Sequence, residues 1–423
     1  MKIGYACKTV GVPNTTFQSC KKNTAGEENL TRIIAYNLNV LERMLDYNVE
    51  NGITMFRISS DLIPFASSPI NSLPWWEIYQ ETFLAIGKKI KDNGIRVSMH
   101  PGQYTVLNSP YEDVVQRAVK DLEYHCRALD QFMLSKEHKI ILHIGGAYHD
   151  KELAKQRFVK NYMKLDQSIK DRIILENDDK LFDIKDVLEI ASQVMAPVVF
   201  DTLHHELNCC ENNKDPFFWI NECKKTWKSG DGDQKIHYSE QHPRKRKGSH
   251  SDTISAEVFY DFYEKLKRED IDIMLEVKDK NLSAIKALNV VRKRAHIKFL
   301  EQEWSRYKYL VLEHSHSDYE EIRQLLRNKA EYPVLSFYEK IDHALLKEIT
   351  RGNGENAARH IWGYFKELAT KEEKEQVERR IKRYKSGNLS VLSVKKYLWK
   401  LTLKYREDYL IQAYYFNECN QKM

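Results

Sequence analysis

No apolar run in the chain approaches the ~18–20 residues needed to span a bilayer, and mean hydropathy is low, at −0.61. A membrane-spanning helix is therefore excluded. The N-terminal stretch MKIGYACKTVGVPNTTF has no basic segment followed by an apolar core, so a secretory signal is not expected and a cytoplasmic protein is. Cysteine is sparse: seven residues, scattered and odd in number, with no C-x-x-C pair of zinc-ribbon spacing. That argues against a disulfide framework and for reduced thiols. Neither a G-x-G-x-x-G turn nor a P-loop occurs, so no nucleotide cofactor is expected. Charge of one sign is also lacking. Lys and Arg number 67 against 61 Asp and Glu, 44 against 42 before residue 300 and 23 against 19 after it. Bulk charge does not announce a nucleic-acid partner.

What is present, up to about residue 280, is alternation of short β-rich runs with amphipathic stretches. Strands are expected at 2–7, 55–60, 96–100, 139–145, 172–177, 198–204, 234–240 and 272–277. Helical patterns lie between them, at 75–91, 111–133, 151–169, 184–194 and 256–268. Several runs are apolar on both faces, as in a buried parallel sheet. Eight strands, each followed by a helix, predict an α/β fold of the (β/α)8 TIM-barrel type over residues 1–295. From residue 300 the texture changes. Only four glycines and one proline, Pro333, occur between residues 301 and 423. An all-α domain over residues 300–423 is expected, with five or six helices broken near 333, 351–355 and 386–388.

Barrels of this kind carry their chemistry at the carboxyl ends of the strands. Those ends are rich in metal-competent side chains: His100, His143, Glu176, Asp201 and His204 as D-x-x-H, Lys235 and His237 as K-x-H, and Glu276, with His250 in the loop after strand seven. A lone histidine or glutamate in such a place is ordinarily a hydrogen-bonded core residue or a helix cap. Six consecutive strands supplying them to one mouth is different, because carboxylates and imidazoles crowded there need cations to neutralise them. Imidazole and carboxylate without thiolate suit Mn²⁺, Zn²⁺ or Mg²⁺. Five histidines and three carboxylates exceed the needs of one ion, so two or three are expected.

These residues, with their surroundings, resemble the UV damage endonucleases, a family of DNA-repair nucleases. The matching segments are GYAC at 4–7, FRISSDLIPFAS at 56–67, SMHPGQYTVLNSP at 98–110, LHIGG at 142–146, LEND at 175–178, FDTLHH at 200–205, KIHYS at 235–239 and MLEVKDK at 274–280. The resemblance implies a TIM barrel holding up to three divalent ions, manganese first. It implies a nick immediately 5′ to cyclobutane pyrimidine dimers and 6-4 photoproducts in double-stranded DNA, leaving 3′-hydroxyl and 5′-phosphate ends. The metal ligands would be His100, His143, Glu176, Asp201, His204, His237, His250 and Glu276. The catalytic set would be Lys235, Glu176 and His237, with the Lys235 amine open to carboxylation. Gln103 and Tyr104 match a pair that wedges into the duplex, and Tyr5 matches a lesion-probing tyrosine. Arg244 and Lys245, in the basic run RKRK at 244–247, are candidate phosphate contacts. Ser68 departs from the family, whose members carry a histidine there. Segments 356–367, 373–387 and 409–417 resemble a bacterial domain of unknown role.

The expected chemistry is metal-assisted phosphodiester hydrolysis. Two other readings fit the same strand ends: a metal-dependent sugar isomerase on the same fold, and a barrel that binds damaged DNA without turning it over.

Overall fold

The structure, a computed structural model, describes residues 1–211 and 214–420. Eight strands, β1 (Ile3–Ala6), β2 (Met55–Ile58), β3 (Arg96–Met99), β4 (Ile140–His143), β5 (Ile173–Glu176), β6 (Val198–Asp201), β7 (Gln234–Tyr238) and β8 (Ile271–Leu275), pair in parallel with their sequence neighbours. The pairing of β8 with β1 closes the barrel. Every strand residue except His143 is buried. Barrel strands have helices on one side and interior side chains on the other, so neither face reaches water.

Period-two alternation decides what goes inside. Ala6, Met55 and Met274 form one interior apolar cluster, and Ile141, Ile174 and Val199 form another. Two residues further along the same strands come Arg57, His143, Glu176, Asp201 and Glu276, at the carboxyl ends. The interior is thus an apolar middle with a polar layer above it. Below, near the strand starts, Arg96 pairs with Asp272 at 2.8 Å and Lys139 pairs with Asp231, an ionic floor in which each charge has a partner.

One expected strand is too long. The 198–204 run ends as a strand at Asp201, and Thr202–Leu207 is a helix. Asp201 is its N-cap, accepting from the His204 amide at 2.8 Å. A carboxylate in that position satisfies an amide the helix leaves open, so the D-x-x-H pair spans a strand-to-helix junction.

The chain forms two compact units, the second comprising residues 9–14, 255–263 and 286 onward. It is helical, and residues 421–423 of the expected tail lie outside the described residues. Its helices of ten or more residues after 290 are Ile297–His314, His316–Leu325, Val334–Leu345, Arg351–Trp362, Lys371–Lys385 and Val391–Tyr405. Their core gathers Leu312, Ile361, Phe365, Leu398, Trp399 and Phe416. The break expected near 351–355 falls just before it, between Leu345 and Arg351, and 351–355 itself is the first turn of a helix capped by Thr350. Of its two glycines Gly354 is needed for packing, because a Cβ on it would lie 2.3 Å from the Tyr384 hydroxyl, whereas Gly352 faces open space. The turn expected at 386–388 is present, with Gly387 at φ 82°.

Candidate metal centre

Glu176, at the end of β5, is the hub of the barrel mouth. One carboxylate oxygen lies 3.1 Å from His100 Nε2 and 3.3 Å from His143 Nε2. The other lies 2.7 Å from His237 Nδ1, which is also 3.1 Å from Glu276 Oε1. Two groups of donor atoms result, each within 4.8 Å: His100, His143 and Glu176, and Glu176, Asp201, His237 and Glu276. Glu176 belongs to both, as a carboxylate bridging two cations does.

The fit to cations rests on atoms left without partners. Asp201 Oδ2, His143 Nδ1, His237 Nε2 and Lys235 Nζ are buried and make no hydrogen bond. Buried polar groups are nearly always satisfied, and Asp201 Oδ2, an orphan carboxylate oxygen of the second donor group, is free to meet a cation, whereas the orphan His143 Nδ1 and His237 Nε2 are the ring nitrogens opposite those that approach Glu176. A carboxylate oxygen is a donor of the kind divalent ions take.

The electrostatics agree. Burial alone would raise the Glu176 carboxyl, yet His237, His143 and hydrogen bonds from His100 and His237 hold it well below the usual range. Burial lowers His143 to about 4, which leaves its ring neutral and able to ligate at pH 7. Burial raises the Asp201 carboxyl, opposed by His204. Burial would lower His204, but Asp201 and Glu176 raise it to about 9. Burial, followed by the positive field of Arg96, drives Lys235 far below an ordinary lysine.

The remaining expected residues fall in different places. His204 lines the mouth with its ring centroid 5.7 Å from that of His143, its Nδ1 bonded to the Asn177 carbonyl at 2.8 Å. It joins neither donor group, and nor does His250, whose Nδ1 bonds to the backbone carbonyl of Glu276. A histidine bonded through Nδ1 to a carbonyl presents Nε2, the usual second-shell arrangement at metal sites. Lys235 is fully buried on the same face of β7 as His237 and nearer the strand start. Gln103 and Tyr104 are exposed, Tyr104 at 70%. Gly102 lets the Tyr104 ring fold back, since a Cβ there would meet it at 2.4 Å. Arg244 and Lys245 sit in an exposed loop, Lys245 paired with Asp252 at 3.3 Å.

Tyr5 is a correction. It is 0% exposed, its ring lies edge-on to Phe56 at 5.1 Å, and its hydroxyl donates to Asn48 Oδ1 at 2.9 Å. Ala6 occupies the barrel interior, so strand alternation directs Tyr5 to the helix side, away from any DNA.

Two contributors went unassigned in the sequence. Arg57 on β2 pairs with Glu276 at 2.5 Å. A charged residue between apolar ones in a strand otherwise buried on both faces was the available signal. Asn177 exchanges hydrogen bonds with the backbone of Asp201, at 2.9 and 3.2 Å, and its carbonyl holds His204. It fixes two site residues while pointing at neither donor group, which a linear pattern does not reveal.

A profile of the family described as UV-endonuclease UvdE matches residues 1–305. A second, described as a protein of unknown function (DUF1722), matches residues 308–419. Among curated proteins, a UV DNA damage endonuclease of Clostridium perfringens is 42% identical over 354 residues, covering 82% of this chain and 84% of that one. One of Bacillus cereus is 31% identical over 299 residues, covering 68% and 94%. Among solved structures, SacUVDE superposes with a TM-score of 0.66 at 38% identity, covering 69% of this chain and 98% of that one.

Proposed function

The chain belongs to the UV-endonuclease family, and from that premise we propose that it nicks duplex DNA immediately 5′ to cyclobutane pyrimidine dimers and 6-4 photoproducts. The ends left are a 3′-hydroxyl and a 5′-phosphate. The observation that carries this reading is the pair of donor groups sharing Glu176, with the orphaned Asp201 Oδ2 in the second of them.

His100, His143 and Glu176 would hold one divalent ion, and Glu176, Asp201, His237 and Glu276 a second. His204 and His250 would complete the shell or hold a third. Manganese is the first choice, with zinc or magnesium as alternatives. The chemistry such ions supply is charge neutralisation at a phosphate and activation of water near neutral pH.

The protein's own residues set the stage for that chemistry. Arg57 balances Glu276 and orients its carboxylate. Asn177 holds Asp201 and His204 in register across β5 and β6. Lys235 is an unpaired amine just beneath the ligands, and carboxylation would turn it into an anionic donor that matches the cations above. Gln103 and Tyr104, tethered three and four residues after His100, would fill the gap left when a lesion is extruded. A crosslinked pyrimidine pair stacks poorly, so it is extruded at lower cost than normal bases. Arg244 and Lys245 would hold backbone phosphates, which positions the duplex without reading its sequence.

The test is nicking of UV-irradiated against untreated supercoiled plasmid, with Mn²⁺ or with chelator. Metal-dependent nicking confined to irradiated plasmid is expected. Binding of irradiated DNA without nicking under any metal would overturn the enzymatic reading. Turnover of a small aldose with no activity on DNA would replace it by the isomerase.

A further inference from the structure

The second unit contains a stretch unlike the rest of the chain in charge. From Arg379 to Arg406 there are ten lysines and arginines and no aspartate or glutamate, whereas acidic residues make up 61 of 423 overall. The stretch runs through the second half of the Lys371–Lys385 helix, the turn at Gly387, and the whole Val391–Tyr405 helix. These helices pack side by side as a hairpin. The Arg380 guanidinium lies 4.6 Å from the Tyr397 ring centroid, and Lys404 pairs with Glu373 at 2.6 Å.

Val377, Ile381 and Tyr384 on the first helix, and Val394, Leu398 and Trp399 on the second, are buried in the unit's core. The opposite faces are therefore left to solvent. There Arg379, Lys382, Arg383, Lys396, Lys400 and Arg406 are exposed, and among the described residues none of the six makes an ion pair. Carboxylates in this unit are spent elsewhere, Glu313 on buried Lys395 and Glu355 on Lys385. Like charges at helical spacing repel one another. The caps of both helices, Thr370 and Ser390, work without these cations. Lys382 and Arg383 lie in the last turn of their helix, where cations suit its dipole, and Arg383 donates to the Asn388 carbonyl at 3.4 Å, but neither packing nor capping accounts for Arg379, Lys396 and Lys400.

We propose that this hairpin is a docking surface for the phosphate backbone of duplex DNA. The proposal rests on the reading that the chain acts on DNA. Each helix has 15 residues, roughly 22 Å of length. A duplex presents one phosphate per ~1.7 Å of its axis, so about a dozen phosphates lie within that span. A membrane surface fits less well. Interfacial helices show an apolar face beside the basic one, and here the apolar faces are used by the core, with Leu403 the exposed large apolar residue of the stretch. Backbone docking of this type is blind to sequence and lesion. It would hold the protein on undamaged DNA while the barrel searches.

The experiment compares the full chain with the R379Q/K382Q/K396Q/K400Q variant. Binding of an undamaged duplex of about 30 base pairs is followed by fluorescence anisotropy across roughly 50–200 mM salt, with chelator present. Each phosphate contact contributes about 0.9 to the log–log salt slope. The variant should lose about 3 to 4 from that slope and at least tenfold in affinity at the lowest salt, with an unchanged thermal melt. Equal slopes and affinities in the two proteins would overturn the proposal. So would a loss seen with a folded RNA hairpin or with anionic vesicles but absent with duplex DNA. Nicking of irradiated plasmid is scored separately. Absence of nicking with the slope difference intact would defeat the nuclease reading and leave the docking surface standing.

Discussion

The barrel mouth and the helical unit handle charge in opposite ways. In the mouth, Glu176, Asp201, His237 and Lys235 are buried at 0–1% exposure, and Asp201 Oδ2, His237 Nε2 and Lys235 Nζ lack partners. In the helical unit, Leu398, Trp399, Tyr415 and Phe416 fill the core, and the strongest concentration of charge lies on the outside. Uncompensated buried polar groups each cost about 1–3 kcal/mol, whereas exposed cations cost little. Orphans occur in the helical unit too, at Glu313 Oε1, Trp399 Nε1 and the Tyr415 hydroxyl, but there they are scattered, whereas the mouth gathers carboxylates and imidazoles into two donor groups. The exposed arrangement carries no such cost, and changing exposed cations should leave stability nearly unaltered.

The sharpest way to break this contrast is Glu176→Gln. Removing the carboxylate that belongs to both donor groups should reduce nicking on the order of 10⁴-fold, as loss of a central catalytic group does. It should also deplete bound metal after Mn²⁺ reconstitution, measured by elemental analysis, while the thermal melt stays near wild type. Full nicking in this variant would refute the mouth as the site.

The complementary change in the helical unit is Trp399→Ala. Trp399 is 1% exposed and lies 5.1 Å from Phe416, so truncation should destabilise that unit by about 3–5 kcal/mol. Denaturant unfolding should show the loss, with nicking by the folded protein unchanged below the transition.

A smaller effect is expected from Gln103→Ala with Tyr104→Ala. Both residues are exposed, so fold and metal content should be preserved. Lesion binding should weaken by ~1–3 kcal/mol, the scale of one stacked base contact, and nicking of irradiated duplex should fall accordingly. A wild-type nicking rate would place lesion reading elsewhere.

The smallest effect concerns pH. Burial would raise the Asp318 carboxyl, but hydrogen bonds from Lys347, Ser315 and His343 lower it to about 2. A carboxyl depressed on folding stabilises the protein above its unfolded value near 3.8 and loses that contribution as pH falls through 2. Asp318→Asn should therefore cost on the order of 1 kcal/mol at pH 6. The gap between variant and wild type in denaturant midpoint should close as pH drops from about 4 towards 2.

Much of the barrel was legible because its signals are local. Two-sided apolar runs such as 139–145 and 172–177 place β4 and β5, and period-two spacing puts Glu176 and His237 on interior faces. The strand ends therefore revealed the ligand candidates even before any pairing was known. Legibility failed where one signal serves two purposes. The break near 351–355 lies a few residues earlier, at 346–350, because Gly354 is the gap into which Tyr384 packs inside the next helix, a fact set by another helix. The run at 198–204 read as a strand throughout, although the Asp201 cap turns it into a helix.

By itself, the sequence determined the eight-strand order, the helical texture after residue 300, the donor types at the mouth and the acid-free stretch from 379 to 406. All of these depend on residue identity and short-range periodicity. Tertiary structure alone decided that Glu176 is shared by two donor groups, that Arg57 faces Glu276 across 219 positions of chain, and that Tyr5 is sealed against Asn48. It also decided that His204 and His250 stand beside the donor groups and belong to neither. Barrel closure brings β1 against β8, and the distances between side chains from different strands follow from that closure and its register, which no local spacing encodes.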